Sequence, residues 1–567
     1  MTLVGGALIA ASLCRSERGT LAIAWMRGRG RTVAGLACGS CALLASLALV
    51  ACGPQIGTWQ TATTIARALG GRAAGRRCDV LYPDSLTSGQ AALLVRDCEE
   101  ELSLDETRLG TQLPGRLIEY VFADARQKRR LMGAGETSIA KPWRREVYVQ
   151  LAPYPHPLLG HEIAHVVAAS FAPGPLHIGG GLWPNPGLIE GIAVATSPDD
   201  DELTDAQWAR AMLDLGILPS ATDIFSLGFL GHNAPMSYTV AGAFVSWVSG
   251  RWGTSIVRAW YAGGSIERLT GQSWKGLEEL FRGWLRTLEM PAQAMLYARA
   301  RFARPSVWQR KCPHVVDALV GAADLCRAER RYGEALTLYG AALSLDGDDW
   351  RAQFDRAALR IQSDAAPSGR SELARIARDD RAPKTWRDRA RVALADDDLA
   401  SDRVADAVGE YREVMAETLD EDFARTLEVK ILAAPDPAAR HAVVDLLVGK
   451  PRSAVDEAWI AAASLGVWAE STNAPLAEYL LGKNLSLHED WASAARWLDR
   501  ALDGGAPTPR IGRELLRTRA VCACAEVDRA GIARVRRMLV APTSPFADGP
   551  DGRRQWLLAL LSRCDPP

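Results

Sequence analysis

Net charge is almost absent from this sequence. Its 66 lysines and arginines face 67 aspartates and glutamates, a formal charge of -1 over 567 residues. Without a basic excess, nothing argues for a nucleic-acid partner. Paired cysteine motifs are also missing. The only CxxC pair, Cys38 and Cys41, lies inside an apolar N-terminal run with no second pair, which argues against a cysteine zinc site. Histidine is scarce, with 8 in the chain, so any two at ligand spacing carry information. Disorder is excluded by 48% apolar and 23% charged residues. One core is excluded by length, which suggests two to four domains. The arginine-rich stretches Arg510–Arg519 and Arg534–Arg537 sit among apolar residues at helical spacing and read as solvated helix faces.

The N-terminus is the most biased stretch. Arg27, Arg29 and Arg31 precede an uncharged apolar run from Val33 to Ala51, and Met26 is a plausible start. Three readings compete: a cleaved secretory signal, a lipoprotein signal in which Leu49-Val50-Ala51 precedes a lipidated Cys52, and a membrane-spanning helix. The apolar stretch Leu3–Cys14 leaves room for more than one span. All three place the rest of the chain outside the cytoplasm, tethered in two of them. Seven of the 11 cysteines lie beyond this segment in three local groups, as disulfides of an oxidising compartment would. The expected pairs are Cys78–Cys98 and Cys312–Cys326, with Cys564 joined to Cys522 or Cys524.

Residues 55–75 read as a lead-in helix or linker. Strand and helix patterns then alternate: a strand at Asp79–Tyr82, a helix at Ser88–Leu109 with acidic residues on one face, and a strand at Leu117–Phe122. A short basic helix at Ala125–Met132 and a strand at Glu146–Leu151 follow. A helix is expected from Pro157 to Phe171 and an apolar one over Leu188–Thr196, with a Gly- and Pro-rich loop between them. Helices continue to about Leu288. From about Pro305 strand signals vanish and a helical repeat appears. Leu481, Gly482, Ala494, Leu498 and Ala501 hold the key positions of a tetratricopeptide-like helix pair. Ala323, Ala335, Tyr339 and Ala342 repeat the spacing, and Ala395, Ala407 and Tyr411 echo it. The competing reading is an irregular helical bundle.

The residues with chemistry are His161-Glu162-Ile163-Ala164-His165, an HExxH pattern. Four residues apart on a helix, the two imidazoles share a face and can meet one metal ion. Glu162 emerges about 100° round from His161, where it can serve as a base without binding the metal. Zinc needs a third ligand, and His156, His177, His232 and Glu190 are candidates. Glu190 is the one charge in an apolar helix, so it needs a cation or a metal; an ion pair with an arginine is the alternative. Gly191 and Ala193 are expected to let that helix pack against the HEIAH helix. Asp199, Asp200 and Asp201 read as a solvated run. Most of the 18 tryptophans read as core, and only Trp183, in the loop, is a candidate for substrate contact.

HExxH followed by Asn185-Pro186-Gly187-Leu188-Ile189-Glu190-Gly191 resembles the gluzincin branch of thermolysin-like zinc peptidases, and within it the bacterial peptidase-MA-like domains that often sit beside tetratricopeptide repeats. The resemblance covers roughly residues 76–290. It implies an α+β, thermolysin-like zincin domain over 55–304, after an anchor segment over 1–54 and before an all-α tetratricopeptide-like solenoid over 305–567. It implies that His161, His165 and Glu190 bind zinc and that Glu162 is the base. The residue steadying the oxyanion maps to Tyr238, with His232 as runner-up. One departure stands out. Where better-known gluzincins place an aspartate that orients a zinc histidine, four residues after the third ligand, this chain has Val194. The expectation is an extracytoplasmic, membrane-anchored metallopeptidase acting on peptide or protein substrates, whose repeats recruit substrate or a partner. The alternatives are a non-catalytic, zinc-stabilised binding protein and a degenerate domain without metal.

Overall fold

The computed structural model describes residues 14–17, 20–23, 37, 39–48, 60–135, 137–174, 177–180, 184–197, 201–302, 313–363, 366–448, 454–472, 474–547 and 551–564. The chain divides into two compact units. One comprises residues up to Arg96, Arg116–Ile139 and Glu146–Leu151; the other comprises Asp97–Gly115, Ala140–Arg145 and everything from Ala152. Most of the anchor expectation, including Arg27, Arg29, Arg31 and residues 49–52, lies outside the described residues. Two strands, Cys14–Glu17 and Thr20–Ile23, pair antiparallel, and a helix runs over 39–48. No helix among the described residues is long and apolar enough to cross a membrane.

The first unit is built on a small mixed sheet. Gly70–Ala74 pairs antiparallel with Cys78–Pro83, which pairs parallel with Leu117–Phe122, which pairs parallel with Glu146–Gln150. A short strand, Ile139–Lys141, lies at the far edge. Parallel neighbours need crossovers, and the helices Ser88–Leu109 and Ala125–Met132 follow the first two parallel strands in sequence. The in-register pairs Tyr120↔Tyr148 and Phe122↔Gln150 share one face. There the rings of Tyr120 and Tyr148 stack at 4.6 Å, and Ile65, Leu69 and Leu131 complete the core. The first strand pair adds Gly70–Ala74 to what the sequence presented as lead-in. That segment has no apolar alternation, so periodicity could not reveal it.

The second unit is helical. Leu159–Ala168 carries HEIAH, Pro186–Thr196 carries Glu190, and Ala234–Trp252 carries Tyr238. Each start has a local cause. Asn185 and Asn233 cap their helices by accepting hydrogen bonds from Leu188 and Met236, with Pro186 and Pro235 in the first turns. Gly191 admits the tyrosine helix, not the ligand helix: a Cβ there would lie 2.9 Å from the carbonyl oxygen of Ala241. The glutamate helix does pack against the ligand helix as expected, but the part expected of Gly191 is corrected, since the small residue marks the tightest neighbour, here the tyrosine helix. Phe225, Phe244, Trp247, Trp260, Trp274 and Phe281 pack ring against ring behind these helices; Trp247 and Trp260 are core and Trp274 is half-buried. Trp183 lies outside the described residues.

Helices follow one another from Pro313 to Cys564. Ala323, Ala335, Tyr339 and Ala342 are fully buried in one helix pair, and Ala395, Ala407 and Tyr411 in another. A second periodicity accompanies them. Tyr339 donates to Asp324 at 2.5 Å and Tyr411 donates to Asp396 at 2.6 Å, each across 15 residues. In the third pair a Cβ on Gly482 would meet Leu498 at 2.7 Å, so glycine sets the helix separation.

The charged stretches need correction. Arg519 is 3% exposed and pairs with Asp499 and Asp528, Arg513 pairs with Glu421, and Arg534 pairs with Asp499 and Asp503. Arg513 and Arg519 bridge packed helices instead of lining a solvated face, because apolar neighbours draw their stretch into an interface, whereas Arg534 is half-buried and Arg537 is exposed, as expected of a solvated face. Asp201 is likewise no solvated acid. It accepts from Trp208 Nε1 at 3.1 Å and pairs with Arg301 at 2.6 Å; Asp199 and Asp200 lie outside the described residues. Cys524 is bonded to Cys564, and Cys522 is a buried free thiol. Cys78 and Cys98 are both disulfide-bonded. Cys326, one end of the expected Cys312–Cys326 bridge, is a free thiol packed against Tyr339 and its neighbours. Cys312 itself lies outside the described residues.

Candidate metal centre

The ligand helix is buried on nearly every side. Leu159, Ile163, Val166 and Val167 are at most 1% exposed. Its lead-in is fixed by His156, whose backbone N–H donates to Asp97 at 2.9 Å and whose Nδ1 accepts from the N–H of Leu158 at 3.1 Å. His156 therefore shapes the turn before the motif and is not part of the cluster. A helical register then brings the His161 and His165 rings to 4.8 Å, edge to face.

The glutamate helix completes the set. One oxygen of Glu190 lies 3.3 Å from Nε2 of His161 and 3.5 Å from Nε2 of His165. One ligand atom from each of the three residues lies within 4.8 Å of the others. The alternative partner, an arginine, is not what Glu190 faces. Burial pushes the Glu190 carboxyl up, but hydrogen bonds from His161 and His165 dominate and hold it near 2. Burial disfavours the charged form of His165, yet the hydrogen bond and charge of Glu190, with Glu162, hold it above the usual imidazole range. Two imidazole nitrogens and one carboxylate oxygen are a donor set that zinc accepts, leaving an open position.

Glu162 is buried beside the cluster, 7% exposed, and its charge acts on both His165 and Tyr238. The Tyr238 ring stands 6.3 Å from that of His161. Its hydroxyl is held above the ordinary phenol range by burial first, then by the charge of Glu190 and their hydrogen bond. Phe229 packs on the other ring contact of Tyr238 at 5.5 Å. The runner-up, His232, is engaged with Asp223 at 2.6 Å. His177 faces the carbonyl of Ala172 at 3.3 Å.

Val194 packs against Gly242, where a Cβ would meet its methyl at 2.3 Å, so that position supplies contact, not a hydrogen bond. Nδ1 of His165 is buried and has no partner among the described residues.

Sequence reasoning missed what lies behind the ligand helix. Glu101 approaches Gly160 so closely that a Cβ there would lie 3.0 Å from its carboxylate and 2.6 Å from the Ser197 hydroxyl. The acidic face of Ser88–Leu109 was visible as a pattern, but nothing in the pattern placed it beside HEIAH.

No family model and no curated protein matches this chain. A solved structure, the TPR2AB-domain:pHSP90-complex of yeast Sti1, aligns over 44% of this chain and 98% of its own, at 15% identity and a TM-score of 0.19. A likeness that slight carries no argument.

Proposed function

We propose that this protein is an exported, membrane-tethered zinc-dependent peptidase of the gluzincin type, with a thermolysin-like catalytic domain and tetratricopeptide-like repeats that recruit substrate or a partner. The observation that carries the reading is the convergence of His161, His165 and Glu190 from two helices onto one point, with Glu162 buried beside it. His161, His165 and Glu190 would hold the ion. Bound there, zinc supplies Lewis acidity and an acidified water. The Glu162 carboxylate takes the proton of the attacking water and returns it to the leaving amine nitrogen. The Tyr238 hydroxyl donates a hydrogen bond to the developing oxyanion. The buried apolar ligand helix keeps bulk water from the back of the cluster, which strengthens each of these interactions.

The test is hydrolysis of a peptide library by wild type and by Glu162→Gln, with zinc content measured in both. Cleavage by wild type alone, with zinc retained in the variant, is the expected result. If both proteins are equally inert across broad libraries, the enzyme reading fails. A second reading, a zinc-stabilised binding protein without activity, is favoured by one feature. An open groove of about 580 Å³ among the helices is lined by Leu296, Lys384, Arg387, Asp388, Arg391 and Glu417 and offers charges of both signs to a partner. On that reading zinc binds and no peptide is cut.

A further inference from the structure

Arg563 lies in the helix Asp551–Cys564, yet its side chain is only 5% exposed. It reaches three acids on one face of Ser88–Leu109: Asp97 at 3.0 Å, Glu100 at 3.5 Å, and Glu101 in a close ion pair. Its guanidinium also lies over the Tyr154 ring, 5.6 Å from the centroid. The next residue, Cys564, is bonded to Cys524 in the buried helix Pro509–Glu526.

Those acids are the ones that hold the lead-in to the ligand helix. Asp97 accepts from the backbone of His156, Glu100 accepts from the Tyr154 hydroxyl at 3.1 Å, and Glu101 lies against Gly160, the residue before His161. The cluster is crowded with carboxyls. One turn further, Asp105 is fully buried with neither oxygen hydrogen-bonded among the described residues, and burial first, then the charge of Glu101, pushes it well above the carboxylate range. A buried acidic face of this kind is stabilised by cations fixed against it, here Arg563 and, for Glu101 and Asp105, also Arg108.

We propose that Arg563 is a positioning residue for the metal centre: it neutralises the acidic face that fixes the turn into His161, and the Cys524–Cys564 bridge holds it in place. The proposal rests on the zinc reading of the cluster. It couples Arg563, 398 residues beyond His165, to the geometry of the first ligand.

The test compares wild type, Arg563→Met, Arg563→Lys and a charge-compensated variant carrying Arg563→Met with Asp97→Asn and Glu101→Gln. Zinc affinity is read by chelator competition, and hydrogen exchange over residues 154–165 is read in the metal-free protein. Removing an outer partner of a metal ligand typically costs about 10- to 100-fold in affinity, and Arg563→Met should fall in that range with faster exchange in the lead-in. Arg563→Lys should lose only a few-fold, and the compensated variant should recover most of the loss. A merely structural role for Arg563 would lower stability in Arg563→Met but leave the zinc affinity of the folded protein unchanged. Unchanged affinity and exchange in Arg563→Met, or a loss that compensation does not reverse, overturns the proposal. Should Arg563→Met fail to fold, Arg563→Lys decides: wild-type affinity and exchange count against the proposal and a few-fold loss supports it. If wild type itself binds no zinc, the metal reading fails, and exchange in the metal-free proteins alone judges the positioning role.

Discussion

One oxygen of Glu190 lies 3.3 Å from Nε2 of His161, although 29 residues and a Gly- and Pro-rich loop separate them. The same oxygen is 3.5 Å from Nε2 of His165. Without an ion Glu190 bridges the two imidazoles; on the proposed reading the three atoms would become ligands to one. Glu190→Ala should therefore weaken zinc binding by more than about 100-fold, beyond what losing an outer partner costs. Glu162→Gln should bind zinc within a few-fold of wild type. Isothermal titration of both variants checks the pair, and the reverse order of affinities would reassign the ligands.

On the proposed reading, Glu162 and Tyr238 would divide the chemistry that the ligands do not perform. Loss of a general base typically costs about 10²–10⁴-fold in rate, so Glu162→Gln should fall in that range on any peptide the wild type cleaves. Tyr238→Phe removes one oxyanion donor and should lower kcat about 100-fold while KM and zinc content hold. Steady-state kinetics separate the two. A Tyr238→Phe enzyme with unaltered kcat would assign the tyrosine to packing against Phe229.

The glutamate and tyrosine helices meet at a glycine. Gly191→Val would set a branched side chain against the Ala241 carbonyl, 2.9 Å from the nearest possible Cβ position, and against Val245. Overpacking of this kind costs about 1–3 kcal/mol. Urea unfolding should show that loss, and wild-type stability would mean that the two helices have room to part.

The fold and the site were unequally legible in the sequence. The Ser88–Leu109 and Ala125–Met132 helices have the bounds that periodicity suggested, and most strand cores lie where β-branched runs placed them. The two histidines are local, four residues apart, and helical geometry alone faces them together. Glu190 was singled out because a lone charge in an apolar helix demands a partner. Arg563 was not, because one arginine in an arginine-rich chain gives no local signal, and its partners lie more than 400 positions away. The same limit hid the role of the arginines at 510–519: spacing shows which face a residue occupies, not which acids another helix brings to it.

Acidity also leaves a signature. Glu202 accepts from the backbone of Glu421 at 3.1 Å and pairs with Arg553 at 2.8 Å. Burial and then the shared hydrogen bond with Asp201 push its carboxyl up to about 7, against a pull downward from Arg553. A carboxyl with a raised folded-state pKa contributes stability that is fully present below its unfolded value and lost as pH rises through the folded one. Stability should thus decline between about pH 4.5 and 7, by no more than about 1.4 kcal/mol per pH unit for this one proton. Glu202→Gln should flatten that slope in urea titrations across the window. An unchanged slope would place the proton elsewhere.

The central claim is that His161, His165 and Glu190 form one zinc site, and anomalous diffraction at the zinc edge from crystals of the zinc-loaded protein tests it most directly. The account predicts a single peak about 2.0–2.2 Å from Nε2 of each histidine and from an oxygen of Glu190. A protein that crystallises with zinc present but shows no peak between these residues, or shows one with Glu190 turned away, would contradict it.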